Sequence, residues 1–260
     1  MNHMLNIAVS AARLAARVIL MHLEKIDQLD IKVKGKHKFV TQADKDAEFA
    51  ILETIKKTYP SHGTLSEESG SQDGDDFTWI IDPIDGTTNF LHGHPHFGIS
   101  IAVMKNKQIE HGVVFDPIRD ELFTASRGEG AQLNNRRIRV SRIQNLDRAL
   151  LATGFSFPKS EYIDPWLKTF HALLPKTSGI HRSGATSLDL AHVASGRFDG
   201  FWEMSLKPWN ITAGVILVRE AGGLVSDFEG GQDFLRSGNI VAANSVLFND
   251  LLRIVHDRFH

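Results

Sequence analysis

No cysteine occurs anywhere in the 260 residues, so disulfides, thiolate nucleophiles and thiolate-held zinc are all excluded. A dominant charge is missing too. The 31 acidic and 29 basic residues leave a formal net charge of −2, without the global basic field that nucleic-acid binders carry. That balance still permits a local anion pocket, which needs only a few well-placed groups. No apolar run approaches the roughly 20 residues that span a bilayer. The nearest is Met1 to Ile26, which Arg13, Arg17 and Glu24 interrupt. Its apolar positions Leu5, Val9, Ala12, Ala16, Ile19, Leu23 and Ile26 recur every three or four residues. This spacing predicts a helix with one face on a core, and not the unbroken apolar stretch of a signal peptide. A cytosolic location is the resulting expectation.

What is present suits an ordinary globular chain: 42% apolar and 23% charged residues supply a sizeable core. Thr41 to Tyr59 predicts a second helix, with Thr41 as its N-cap, a stripe of Ala47, Ile51 and Ile55, and Pro60 as its end. Before it, Lys32, Lys34, Lys36 and Lys38 alternate along an exposed edge or loop; the alternative is a positive wall near a phosphate pocket. Strand patterns follow at 64–65 and 78–82. Those at 97–104, 109–115 and 121–125 are joined by short turns and imply an antiparallel meander. Beyond residue 145 the pattern changes. Strands at 148–153, 177–181, 199–202, 224–226 and 239–242 alternate with helices at 162–174, 185–194, 209–221 and 246–259, which favours a sheet with crossover helices. We therefore expect an N-terminal half over 1–145 with an antiparallel sheet and a C-terminal α/β half over 146–260.

The strongest chemical signal is Trp79-Ile80-Ile81-Asp82-Pro83-Ile84-Asp85-Gly86-Thr87-Thr88-Asn89-Phe90. A short apolar strand delivers Asp82, and Pro83 is expected to stop it. Asp82 and Asp85 lie across a sharp bend and can point into one space, where two carboxylates repel unless a cation sits between them. Oxygen donors without histidine or cysteine suit Mg²⁺ better than zinc. Gly86 allows close approach of backbone to an anion, and Thr87-Thr88 can open a short helix whose N–H groups face phosphate. Upstream, Ser66-Glu67-Glu68-Ser69-Gly70 offers a third carboxylate ligand or an ordinary solvated loop. Asp44 reads equally as a first-turn acid of the second helix.

Other features carry less. His92, His94 and His96 alternate around Gly93 and Pro95, as loop histidines or a transition-metal site. Arg127-Gly128-Glu129-Gly130-Ala131 lacks the Lys-Ser/Thr of a phosphate-binding loop. Arg136, Arg137, Arg139 and Arg142 form a solvated face or a contact for RNA or an acidic partner.

The Asp82 segment, together with Met4-Leu5-Asn6-Ile7-Ala8-Val9, Leu151-Ala152-Thr153-Gly154-Phe155, Asp189-Leu190-Ala191 and Arg219-Glu220-Ala221-Gly222-Gly223-Leu224-Val225-Ser226-Asp227, resembles the inositol-monophosphatase family over essentially the whole chain. The likeness extends to its bacterial branch of extragenic suppressor proteins, some of which also act in ribosomal-RNA transcription antitermination. One family signature, D-P-I-D-G-T, is intact; the other, W-D-x-x-x-G, reads Trp209-Asn210-Ile211-Thr212-Ala213-Gly214. The resemblance implies an α+β fold, a layered αβαβα sandwich, in a homodimer. It also implies a lithium-sensitive, Mg²⁺-dependent phosphomonoesterase acting on myo-inositol monophosphate or a similar polyol phosphate. A first ion would be held by Glu67, Asp82 and the Ile84 carbonyl, and a second by Asp82, Asp85 and position 210. A third, weaker ion would sit by Glu67. Thr87 and Asp44 would position and deprotonate the attacking water, with Glu67 also orienting it. Substrate would meet Ile84, Asp85, Gly86, Thr87, His181, Gly184, Ala185, Thr186, Glu203 and Asn210. Asn210 replaces the family aspartate: an amide oxygen can bind Mg²⁺ but without the charge, so a slower enzyme needing more Mg²⁺ is expected. The alternative is an interaction protein of the antitermination type, contacting transcription-elongation machinery or RNA, with weakened or dispensable catalysis.

Overall fold

Strands between residues 77 and 126 carry apolar side chains on both faces, which demands cover on both sides. A computed structural model describes residues 2–26, 31–35, 38–155 and 160–259, with the side chains of 31–40 and 160 outside the described set. In chain order the elements are α1 (His3–Leu23), β1 (Ile31–Gly35), β2 (Lys38–Thr41), α2 (Gln42–Thr58), β3 (Gly63–Ser66), β4 (Gly70–Gln72), β5 (Phe77–Asp85) and α3 (Thr87–Leu91). Then come β6 (Gly98–Lys105), β7 (Gln108–Asp116), β8 (Glu121–Ser126), β9 (Gly130–Leu133), β10 (Arg136–Arg137), β11 (Leu150–Thr153), α4 (Ile163–Leu173) and β12 (Gly179–His181). The chain ends with α5 (Thr186–Ala194), β13 (Gly200–Glu203), α6 (Pro208–Glu220), β14 (Leu224–Ser226), α7 (Phe234–Ser237), β15 (Ile240–Ala243) and α8 (Phe248–Phe259).

These elements stack as alternating helix and sheet layers. The larger sheet has the order β10-β9-β8-β7-β6-β5-β3-β4, and the smaller β12-β11-β13-β15-β14. On one face of the larger sheet, α1 and α2 cover Trp79, Ile81, Ile99, Ile101, Val103 and Val113. Alternate residues Ile80, Ala102 and Val114 point the other way, against α5 and α6. Those two helices also bury the near face of the smaller sheet, while α4 and α8 close its far face through Leu173, Leu251 and Val255. The layered α+β expectation holds.

By length and composition α1 could cross a membrane. Here its small face, Ala8, Ala11, Ala12, Ala15 and Ala16, packs closely on Ala43, Ala47 and Ile51 of α2. The meander is present as β6–β7–β8, antiparallel throughout. In the smaller sheet β11 runs parallel to β12 and β13, whereas β15 is antiparallel to β13 and β14. Strands β1 (31–35) and β2 (38–41) pair antiparallel; the lysine side chains of this region lie outside the described residues. Pro83 does not end its strand. Asp82 pairs with Ser100 and Asp85 with Gly98, so β5 continues through a one-residue bulge.

Candidate active site

The acidic cluster is assembled by one parallel pairing. Strands β3 and β5 run side by side with Ser66 opposite Ile81, and the Glu67 N–H donates to the Ile81 carbonyl at 3.3 Å. Glu67 is thereby carried next to Asp82. The bulge after Asp82 turns Asp85 toward the same space, and Gly86 then adopts φ +98° to open α3. A Cβ at Gly86 would lie 3.2 Å from the Gly184 and His96 carbonyls and from Ala185 Cβ. Glycine is therefore required by both torsion and space.

Each carboxylate is held differently. Asp82 is fully buried; its Oδ2 accepts from Asn210 Nδ2 at 2.8 Å, and its Oδ1 has no partner. Asp85 Oδ2 accepts from the Ser187 N–H and hydroxyl, both at 2.6 Å, at the start of α5. Asp44 caps α2: its Oδ2 accepts from the Thr41 N–H at 2.8 Å and hydroxyl at 2.7 Å. Its Oδ1 faces the Thr87 hydroxyl at 3.4 Å, and that hydroxyl lies 3.0 Å from the Ile84 carbonyl. Glu203 ends β13, accepting from Thr186 Oγ1 at 2.8 Å. A Cβ at Gly154 would sit 2.3 Å from the Glu203 carboxyl, so only glycine leaves that carboxyl its place.

Burial, with repulsion from neighbouring carboxyls added, raises the pKa values of these acids. Burial, then repulsion from Glu67 and Asp85, lifts Asp82 well above the carboxylate range. Glu67, although exposed as a residue, rises to about 7 through desolvation and the adjacent Glu68. Asp85 rises to about 6 by burial, against the opposing Ser187 bonds. Burial also lifts Asp44, and Glu203 to about 7. Acids that resist ionisation together are neutralised by a cation.

Does a cation fit? Among the described residues no three His, Cys, Asp or Glu side chains converge tightly enough to grip an ion alone. Mg²⁺ does not need that, because it keeps several waters and is commonly held by one or two carboxylates. Asp82 Oδ1, Glu67 and the Ile84 carbonyl are oxygens of the kind such an ion takes. Position 210 offers no oxygen: Asn210 Oδ1 accepts the Lys207 N–H at 3.0 Å and its nitrogen faces the cluster. The ligand role expected of Asn210 does not match this orientation.

The structure thus gathers Asp44, Glu67, Asp82, Ile84, Asp85, Gly86, Thr87 and Asn210. Through Ser187, Gly86 and Thr186 it adds Gly184, Ala185, Thr186 and Glu203. His181 stands apart. Its ring lies 5.5 Å from that of Phe198, and it lines a cavity of about 400 Å³ with His94, His96, Arg119, Arg182 and His192. Of the three loop histidines, His92 and His94 are exposed while His96 is buried beside His192. The glycine-rich turn is structural: Glu220 accepts the Gly128 and Gly130 N–H groups, each at 2.8 Å. Arg136, Arg137, Arg139 and Arg142 are all exposed.

Two residues escaped sequence reasoning. Ser187 follows the Gly184-Ala185-Thr186 segment directly and could have been read as a helix-start donor. Glu48 lies mid-helix in α2, and no local signal marks it. Its Oε2 accepts from the Ser66 hydroxyl and from the Glu68 N–H at 3.0 Å, and its Oε1 from the Ser69 N–H at 2.9 Å.

Comparison with known proteins gives the family and the fold. The inositol monophosphatase family model matches residues 1–259. The chain belongs to the inositol monophosphatase family. It is 49% identical to the Nus factor SuhB of Pseudomonas aeruginosa, over 98% of this chain and 96% of that protein. Among solved structures, the extragenic suppressor protein suhB of Bartonella henselae superposes with a TM-score of 0.95 at 42% identity, covering 98% of each chain. An inositol monophosphatase from Anabaena (Nostoc) sp. PCC 7120 gives a TM-score of 0.85 at 38% identity, over 98% of this chain and 95% of the other. Members of this family are phosphatases by name, and the site described here lies on the family signature.

Proposed function

We propose that the chain is a Mg²⁺-dependent phosphomonoesterase that hydrolyses myo-inositol monophosphate or a similar small polyol phosphate. The observation that carries this reading is the buried Asp82, whose Oδ1 receives no donor hydrogen bond while the Glu67 and Asp85 carboxyls crowd it. When bound, Mg²⁺ supplies Lewis-acid polarisation of a phosphoryl oxygen and acidifies a water.

The chain's own residues do the rest. The first N–H groups of α3, which opens at Gly86 directly after Asp85, have no partner within the helix and would be available to a phosphoryl group. Thr87 has one proton and two lone pairs. When it directs that proton to Asp44, its oxygen is free to accept a hydrogen from the attacking water. Asp44, anchored by Thr41, then holds the proton while the ester P–O bond breaks. Glu203, buried and set by Thr186 and Gly154, would be the acceptor for polyol hydroxyls.

Phosphate release from a panel of polyol, sugar and nucleotide monophosphates, titrated with Mg²⁺ with and without lithium, tests the reading. Mg²⁺-dependent turnover that Asp82→Asn abolishes, and that is greatest on inositol monophosphate, is expected. Turnover that ignores EDTA, or survives Asp82→Asn, would sink it.

A second reading is favoured by the relatives named as Nus factors: a cytosolic protein that also contacts the transcription machinery. Pull-down of elongation components with the intact chain, and with Asp82→Asn, tests whether such contact exists and whether it needs the acidic cluster.

A further inference from the structure

We infer that Asn210 closes the cation position between Asp82 and Asp85, so that this chain holds one divalent ion fewer than the same fold with aspartate at 210. The inference rests on the phosphatase reading and deepens it.

One backbone N–H fixes the orientation of the Asn210 amide. Helix α6 begins at Pro208, and the N–H of Lys207, its N-cap, points at the Asn210 side chain at 3.0 Å. A backbone N–H can only donate, so the atom facing it must be the amide oxygen. The planar amide then has no choice about its other end. Nδ2 is directed into the acidic cluster, where it donates to Asp82 Oδ2 at 2.8 Å. An amide nitrogen offers hydrogens and no lone pair to a cation. Reversing the amide would set NH₂ against N–H and would break both hydrogen bonds together.

Asp82 is left with one oxygen committed to the amide and one, Oδ1, without a partner. The amide hydrogen stands on the Asp82 oxygen that faces position 210, so a second ion there would have to displace it. Aspartate at 210 would change this by a single atom. One oxygen would still cap Lys207, and the other would stand close to Asp82 Oδ2. Two carboxylates that close require a cation between them. Asn210 therefore acts as a built-in neutral substitute, a pair of N–H hydrogens where an ion would otherwise sit.

Counting bound Mn²⁺ by equilibrium dialysis and electron paramagnetic resonance tests this on the full chain. Asn210→Asp should bind one more ion per chain than wild type. Asn210→Asp should also melt lower than wild type in EDTA, with the gap closing as Mg²⁺ is added. Equal, non-zero counts in wild type and Asn210→Asp overturn the inference alone. No bound Mn²⁺ in either sinks the metal reading and the inference with it. If Asn210→Asp does not fold, the wild type decides. Its Asn210 side-chain NH₂ resonances, identified by their loss in Asn210→Ala, should stay in place at saturating Mg²⁺. A large shift, as the carbonyl swings onto an ion, overturns the proposal.

Discussion

Glu48 touches no substrate, yet the turn that carries Glu67 hangs from it. Only 4% of Glu48 is exposed, and three donors converge on its carboxylate: the Ser66 hydroxyl and the Glu68 and Ser69 N–H groups. Glu48→Gln keeps the volume but halves the acceptors. With its oxygen on Ser69, its NH₂ faces the Glu68 N–H; reversed, it faces the Ser69 N–H. One backbone N–H is stranded either way. Hydrogen bonds to a charged group contribute about 1.5–3 kcal/mol, and a stranded buried donor costs about 1–3 kcal/mol. A loss of about 2–4 kcal/mol in stability is expected for Gln, and more for Ala, which also leaves a cavity. The functional effect should be specific. Glu67 remains but its turn loosens, so the Mg²⁺ concentration for half-maximal activity should rise about tenfold, equivalent to about 1.4 kcal/mol, with kcat largely recovered at saturation. Urea denaturation and Mg²⁺ activation curves measure both. Unchanged stability and Mg²⁺ dependence in Glu48→Gln would show that Glu48 does not hold the Glu67 turn.

Thr87→Ala should lower kcat about a hundredfold or more with KM little changed, as for loss of a proton-transfer group, and Thr87→Ser should restore most of it; a Ser variant as slow as Ala would dismiss the relay. Gly154→Ala, by driving Glu203 from its place, should raise KM for polyol phosphates several-fold and leave the Mg²⁺ requirement alone. The pH dependence follows from the raised carboxyls. Asp82, Asp85 and Glu67 hold protons in the folded chain that the unfolded chain releases above their ordinary values of 3.8 and 4.5. Metal-free stability should therefore fall as pH rises from about 4 to about 7, and Mg²⁺ should raise the melting temperature more at pH 7.5 than at pH 5. An equal Mg²⁺ effect at both would contradict it. His192, buried and lowered to about 4 from its ordinary 6.5, acts in the opposite sense: the unfolded chain takes up its proton first, so stability drops as pH falls from 6.5 toward 4, and His192→Phe should flatten that acid limb.

Much of the fold was legible because period and punctuation agreed. Thr41 caps α2 as its side chain and spacing suggest, and the meander from 98 to 126 follows from apolar runs broken by short turns. Short elements escaped. Strands β4, β9 and β10 have four residues or fewer, too few for a period to register, and exist because a neighbouring strand supplies their hydrogen bonds. Pro83 misled for a related reason. Its missing N–H argues for a strand end, but a bulge leaves that position outside the ladder and the strand resumes.

The site divides along the same line. Asp82, Asp85 and Thr87 are neighbours in sequence, so their convergence could be read from one short segment. Glu67 joined them only through the parallel register of β3 on β5, which is a long-range fact. Position 210 shows the limit most sharply. The letter alone says that a carboxylate has become an amide, and a flexible amide would simply be a weaker oxygen ligand. Which end of it meets the cluster is decided by the Lys207 N–H, a donor belonging to the start of α6 and to no motif. A single capping hydrogen bond thereby converts a modest loss of charge into the loss of a ligand, and that conversion is a property of the fold and not of the residue.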